Sequence, residues 1–402
     1  MNEQTKRFVR SKFEEYYRRA GIKIPRDLWM REWGFVLLDP YYPAKLVMRR
    51  HKSFATKEDL ANYLRENAPA HAYYSTAIYK YPAADMANKG WLGADLIFDL
   101  DADHVISEAE FRKYSYEDLL ELVKKETVKL IDFLLDDFGF HEEDIELVFS
   151  GSRGYHIHIK TEDVRALGSR ERREIVDYVM ATGLDMDKFL AVDLKEKEHG
   201  DEKQGGGDLR LIPEGWGKRL LKGWIDLFHE IAEMEEEKAI EVVKKVGEME
   251  KKKAKEIIRI AKDETVMKRI ERGQIPRFFK PIREGITKTV TEAVRVKSAD
   301  KPDEPVTSDI KRLIRLPTSL HGKSSLEAKP LRMETFKDFD PLKDAVVFGD
   351  SPVEISVARS SSITMKGERY NVEEGEIASV PEHVALYFMC RGAAEIKEKT
   401  SV

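Results

Sequence analysis

The stretch Ala94-Asp95-Leu96-Ile97-Phe98-Asp99-Leu100-Asp101 is the sharpest strand signal in this 402-residue chain. Asp99 and Asp101 stand two residues apart, so both carboxylates project from one face of a strand. Leu96, Phe98 and Leu100 turn the other way, into a core. Two acids at the end of an apolar strand repel each other and resist desolvation. A bound divalent cation resolves that conflict, and Mg²⁺ or Mn²⁺ is the natural guest of an all-oxygen site. Taken alone, the same D-x-D fits a solvent-exposed strand end that caps its turn with Asp103.

Working outward, Phe8, Val9, Phe13, Tyr16 and Tyr17 recur at helical spacing until Gly21 and Pro25. Short strands are expected at Gly34–Leu38, Leu46–Met48 and Tyr73–Tyr79. On the other side a helix runs from about Tyr116 to Asp137, with Ser115 and Asp118 placed to cap it. Strand Ile145–Phe149 then passes through Ser-Gly-Ser-Arg-Gly into strand Tyr155–Ile159. This alternation predicts a mixed α/β catalytic unit. Beyond glycines 205 to 207 the chain is highly charged from Lys218 to about Arg272, which reads as long helices in an inserted subdomain. From Thr287 the pattern returns to strand and loop. The tail past Pro330 reads as short strands and a closing helix, Pro381–Arg391. The expected division is a discontinuous core, 1–215 and 285–402, with a helical insertion at 216–284.

Composition bounds the function. Lys and Arg number 69 against 74 Asp and Glu, a net charge of −5, which excludes a protein that coats nucleic acid by bulk charge. A single cysteine, Cys390, excludes a disulfide framework and a cysteine-built zinc site. No run approaches the roughly 20 apolar residues of a membrane span, and no signal peptide is legible, so a soluble, cytoplasmic setting is expected.

Two further constellations carry charge. In Ser150-Gly151-Ser152-Arg153-Gly154-Tyr155-His156 the glycines permit a tight turn and close backbone approach, while Ser150, Arg153 and His156 can reach phosphate oxygens. A hairpin turn with an exposed arginine is the plainer alternative, and His156 with His158 forms a conceivable H-x-H metal pair. The segment Arg312 to Lys323 holds Arg312, Arg315, His321 and Lys323 around Pro317, as a polyphosphate cradle or a basic loop. Gly322-Lys323-Ser324 is not a P-loop, because Pro317 stands where the upstream glycine is required. Asp303 is an acid in a turn that could join the first pair. Two strand acids, a distant acid and two cationic loops suit metal-dependent transfer of a nucleotidyl group from a triphosphate.

The ordered set D-L-D, S-G-x-R-G-x-H, D-x-x-V-T and R-L-I-R-L-P-x-S-L-H-G resembles the small catalytic subunit of archaeal and eukaryotic DNA primases. Arg31-Glu32, and Arg50 before Ser53-Phe54, extend the resemblance. It covers roughly residues 1 to 160 and 290 to 330. It implies an α+β fold, the mixed-sheet core of that primase family with an inserted helical subdomain. It implies metal binding by Asp99, Asp101 and Asp303. It also implies nucleotide binding by Arg50, Ser150, Arg153, His156, Arg315, Ser319 and His321. The implied activity is primer synthesis from nucleoside triphosphates on a single-stranded DNA template, with a primase large subunit as partner. A repair-type primase-polymerase, a non-catalytic nucleic-acid scaffold and a metal-dependent phosphohydrolase are the alternatives. The family's zinc knuckle is not expected here, since His104 to Leu119 contains no cysteine and Ser107, Glu108 and Glu110 occupy the region. Ser152 stands where another basic residue is common, which places more of the phosphate binding on Arg153.

Overall fold

Asp95 divides the apolar stretch into two strands, Trp91–Ala94 and Leu96–Asp101, and Thr76 likewise splits the expected strand 73–79. A buried arginine lies at both breaks. Arg31 donates to the carbonyls of Ser75 (2.9 Å) and Thr76 (2.7 Å), and its guanidinium lies 2.8 Å from Asp95 Oδ2 and 2.7 Å from Asp27 Oδ2. Arg31 and Asp95 are both fully buried. A second buried arginine, Arg172, takes the carbonyls of Ala94 (2.6 Å) and Asp95 (2.7 Å). The Thr76 carbonyl also accepts the Asp95 amide (2.9 Å), so the guanidinium groups sit at the junctions where pairing partners change.

The computed structural model describes residues 1–106, 113–192, 209–247, 250–275, 280–297 and 307–397. The chain forms two units. The first takes in Met1–Thr127, His141–Glu174 and Ser298–Val402, the second Val128–Phe140 and Ile175–Lys297. In the first unit, α1 (Glu3–Arg19) precedes β1 (Trp33–Val36), β2 (Met48–Lys52), α2 (Lys57–Asn67), β3 (His71–Ser75), β4 (Ala77–Tyr79), β5 (Trp91–Ala94) and β6 (Leu96–Asp101). The helix α3 (Tyr116–Asp136), which belongs to this unit as far as Thr127, β7 (Ile145–Phe149), β8 (Gly154–Ile159), β9 (Leu313–Arg315) and β10 (Pro330–Leu331) follow. Last come β11 (Pro352–Val357), β12 (Ser361–Met365), β13 (Glu368–Val372), β14 (Ile377–Pro381), α4 (Glu382–Cys390) and β15 (Ala394–Ile396).

Two antiparallel four-stranded sheets position the chemistry, in the orders β9–β3–β1–β2 and β10–β7–β8–β6. Leu96, Phe98 and Leu100 are buried, as their alternation predicts. Ser115 caps α3 as expected: its hydroxyl donates to Asp118 Oδ2 (2.7 Å) and accepts the Asp118 amide (3.1 Å). The mixture of helices with several antiparallel sheets is the α+β class the motifs imply. Among the described residues, no helix is long and apolar enough to cross a membrane.

The second unit is largely helical, with helices Gly215–Glu233, Glu236–Gly247, Lys251–Ala261, Glu264–Glu271 and Lys280–Val294 beside the antiparallel strands Leu190–Val192, Leu209–Leu211 and Gln274–Ile275. Trp216, Trp224, Phe228 and Ile257 fill its core. Here one expectation is corrected: Thr287 to Val294 is helix, not strand. Ile286 and Val290 are four apart and both buried, which is helical spacing. A Cβ on Gly223 would lie 2.4 Å from Val290 Cγ1, so that glycine admits the crossing. Glycines 205 to 207 lie outside the described residues.

Two stability predictions concern ion pairs, one buried and one half-buried. Arg31→Ala leaves Asp95 buried beside a more exposed Arg165, and should cost about 3–5 kcal/mol, the scale for stripping one partner from a buried pair. A melting temperature equal to that of wild type would overturn this. Glu146 is the second case. Burial alone would push its carboxyl up, but Lys160 beside it, with His158 and Lys23, brings it down to about 2 from an ordinary 4.5. A depressed acid stabilises the fold above its unfolded pKa and loses that contribution as pH falls through the folded value. The melting-temperature gap between wild type and Glu146→Gln should therefore be present at neutral pH and close between about pH 4.5 and about pH 2.

Candidate active site

β6 and β8 bring the first two constellations together, because their register sets Asp99 opposite His156 and Asp101 opposite Gly154. Asp99 Oδ1 lies 3.4 Å from His156 Nε2, and Asp99 Oδ2 accepts from Arg312 Nη2 at 2.9 Å. Asp101 Oδ1 is 3.5 Å from Arg153 Nη2, and the same guanidinium donates to Asp103. Burial raises the Asp101 carboxyl above the ordinary aspartate range, against the pull of Arg153. The close approach has a backbone requirement. A Cβ on Gly154 would fall 2.0 Å from the Leu100 carbonyl oxygen and 2.8 Å from Asp101 Cα, so only glycine lets β8 run beside the acids.

The Gly-Arg loop also meets the basic segment. Gly151 has φ +81°, and a Cβ there would lie 2.9 Å from His321 Cβ. Ser324 Oγ donates to the Gly151 carbonyl. Ser150 is buried, its hydroxyl 3.3 Å from the Ser152 amide that donates to it. Ser319 is also buried, and its hydroxyl is spent on the Leu316 carbonyl at 2.7 Å, which holds the turn at Pro317.

Arg315, on β9, is 7 % exposed, and among the described residues no carboxylate pairs with it. Its guanidinium donates to His71 Nδ1 (2.9 Å) and Tyr73 Oη (3.0 Å), and stacks 4.8 Å from the Tyr73 ring centroid. Arginine has no acceptor, so His71 Nδ1 must accept and its proton sits on Nε2. Burial, reinforced by Arg315, holds His71 well below the ordinary histidine range, which keeps it neutral. His71 Nε2 is buried with no hydrogen-bond partner. His321 stacks edge-on at 4.9 Å from His71 and is likewise held neutral by burial. Its Nδ1 accepts the Lys323 amide at 3.3 Å, which leaves its Nε2 as the donor. A buried guanidinium and two imidazole N–H donors with no carboxylate among them make an anion site.

Arg50 is held differently. Its Nε and Nη2 donate to the two oxygens of fully buried Glu32, at 2.9 and 3.2 Å, and Lys89 Nζ lies 3.5 Å from the same carboxylate. A bulge in the β1–β2 register, beside His51 at φ +61°, sets this geometry, and the His51 amide also donates to Glu32. His158 does not join His156 as a metal pair. It is fully buried, its Nδ1 lies 3.3 Å from Tyr74 Oη, and burial holds it well below the ordinary histidine range.

Asp303 and the stretch 107–112, with Ser107, Glu108 and Glu110, lie outside the described residues. Among those described, no group of three or more His, Cys, Asp or Glu is placed to hold a metal ion. The two carboxylates that β6 presents on one face are nonetheless a fit for a hard divalent cation, which commonly takes one or two protein carboxylates and completes its shell with phosphate and water oxygens. Arg312, His71 and Glu32 were not among the site residues expected from sequence. Arg312 was visible as the first cation of the basic segment. Glu32 was visible in Arg31-Glu32 but without a role, which the β1–β2 pairing supplies, and His71 belongs to no spaced motif and enters only through the β3–β9 pairing.

The family model for the DNA primase small subunit matches residues 98–333. The chain is 46% identical to the DNA primase small subunit PriS of Methanococcoides burtonii over 98% of this chain and 99% of that protein. It is 41% identical to that of Methanocella arvoryzae, over 98% and 99%, and 43% identical to that of Methanosarcina acetivorans, over 98% and 97%. With the paired strand acids, the glycine-bounded loop and the buried cationic cluster in one unit, this chain belongs to the DNA primase small-subunit family.

Proposed function

We propose that this chain is the catalytic subunit of a DNA primase, making short primers from nucleoside triphosphates on a single-stranded DNA template. The observation that carries the reading is the pairing of two electrostatic environments along one short strand. At its entry Arg312 touches Asp99, and three residues later Arg315 lies buried with no carboxylate partner among the described residues. In this reading Asp99, Asp101 and Asp303 hold Mg²⁺ or Mn²⁺, in a two-ion arrangement. Such ions supply charge stabilisation to the attacking and leaving oxygens of an in-line displacement.

The protein groups take the remaining work. Arg315, with the Nε2–H donors of His71 and His321, grips the triphosphate. Arg153, Arg50 and Ser150 add donors along the same path, and Ser319 acts by fixing the turn that carries His321. His156 lies against Asp99 and holds that carboxylate in place. A hydroxyl oxygen attacks the α-phosphorus and gives up its proton to water, a new P–O bond forms, and pyrophosphate leaves with the electron pair of the broken bond. Cations neutralise the charge that develops on it. The segments 1–215 and 285–402 serve as the catalytic core and 216–284 as an insertion, a primase large subunit is the expected partner, and no zinc is required. A repair-type enzyme or an inert scaffold is less favoured, since the relatives are named for primase.

The test is incorporation of labelled nucleotides on single-stranded DNA with Mg²⁺ or Mn²⁺. Asp101→Asn should abolish incorporation while leaving the melting temperature at neutral pH equal or higher, because it removes a charge that burial penalises. Retained incorporation would take Asp101 out of the metal site. Arg315→Ala should raise the nucleotide KM about ten- to hundredfold, roughly 1.5–3 kcal/mol for a lost charge-assisted hydrogen bond. An unchanged KM would mean that Arg315 only braces Tyr73 and His71.

A further inference from the structure

Among the described residues β2 is the edge strand of its sheet, pairing only with β1, and Met48, Arg49, Arg50 and His51 are all exposed. From Tyr41 to Lys57 the chain carries Lys45, Arg49, Arg50, Lys52 and Lys57 and no acid at all, in a protein with 74 acidic residues. One lysine suffices to discourage edge-to-edge pairing, so this run exceeds what protecting an edge needs. Apolar side chains are interleaved with the cations: Tyr41, Leu46 and Met48 are 65%, 45% and 39% exposed. The charge does not stop at the strand. Arg7 and Arg10, three apart on α1, line a cleft of about 340 Å³ with Lys6 and Arg49, where the cations outnumber the two acids, Glu3 and Asp39, the latter 3.8 Å from Arg49. At the other end, Arg50 joins the strip to Glu32 and Lys89.

We propose that this strip, Arg7, Arg10, Lys45, Arg49 and Lys52 with Tyr41, Leu46 and Met48, is the track that holds the single-stranded template. The inference rests on the primase reading and adds where the template lies. A basic row that follows a backbone, with apolar and aromatic groups between its cations, suits single-stranded nucleic acid, whose phosphates repeat along the chain and whose bases have apolar faces. The template thus approaches along β2, and Arg50 marks where its track meets the nucleotide site.

The test uses the full chain with the triple variant Arg7→Gln/Lys45→Gln/Arg49→Gln, all exposed and none in the nucleotide site. The control removes equal charge elsewhere, Arg332→Gln/Lys343→Gln/Lys366→Gln, and melting temperatures check that both fold. Binding to a fluorescein-labelled oligodeoxythymidylate is followed by anisotropy across a salt titration. The strip variant should bind about tenfold more weakly, and its log–log salt slope should shrink by about 2 for three lost phosphate contacts on a single strand. The control should keep the wild-type slope, and nucleotide KM at saturating template should not move. A strip variant with wild-type affinity and slope, or a wild-type chain that does not bind the oligonucleotide, overturns the proposal. Loss of copurification with the large subunit at unchanged slope also overturns it and assigns the strip to a protein partner. Incorporation by the same wild-type preparation separates the two levels: if it persists while the strip fails, the primase reading stands, and if wild type incorporates nothing on any primed template, the reading itself falls.

Discussion

The Arg31 guanidinium, shut off from water, is the interaction on which the catalytic unit depends. It gathers Asp27, the carbonyls at Ser75 and Thr76, and Asp95, three segments far apart in sequence. It sits where β3 gives way to β4 and β5 to β6, and beyond that junction β6 pairs with β8. That pairing sets the acids opposite His156 and Gly154. A hydrophobic residue in place of Arg31 would bury equal area but could not satisfy two carbonyls and a carboxylate at once.

Around this frame the protein keeps two kinds of polar interior. The acid side is charge-balanced, with Asp99, Asp101 and Asp103 each facing an arginine or histidine. The phosphate side is not: Arg315 is surrounded by neutral imidazoles and a phenol. A buried cation without an anion is costly in isolation, and it is the arrangement that an incoming polyphosphate can relieve. Neutral histidines are what make this workable. Protonated, they would repel the guanidinium; neutral, His71 accepts from it and His321 accepts the Lys323 amide, each on one nitrogen, and each offers a donor on the other.

The sequence made the local pieces legible and left the joins unread. The D-x-D strand, the Ser115 cap and the glycine loop were visible because each is written in adjacent residues at a fixed spacing. The breaks at Thr76 and Asp95 were not, because the group that meets them is Arg31, some forty and sixty residues away in the chain. Thr287 to Val294 misled for a different reason: Thr and Val favour strands, and only burial against the neighbouring helix at Gly223 makes the helix the better choice. At the site, Arg315 and His321 stood in a motif, whereas His71 enters only through strand pairing. Asp303 is the one expected acid on which the described residues are silent.

The bulge at Arg50 and His51 sets a condition on how this gene can drift. Two residues of β2 span the place where β1 offers one, Gly34. Exchanging one side chain for another there leaves the ladder intact. Deleting a single codon would also preserve pairing, since the ladder could close without its extra residue. Lys52 would still oppose Trp33 and keep its face, but the bend that turns Arg50 toward Glu32 would be lost. The segment should therefore tolerate variation in spelling and resist variation in length.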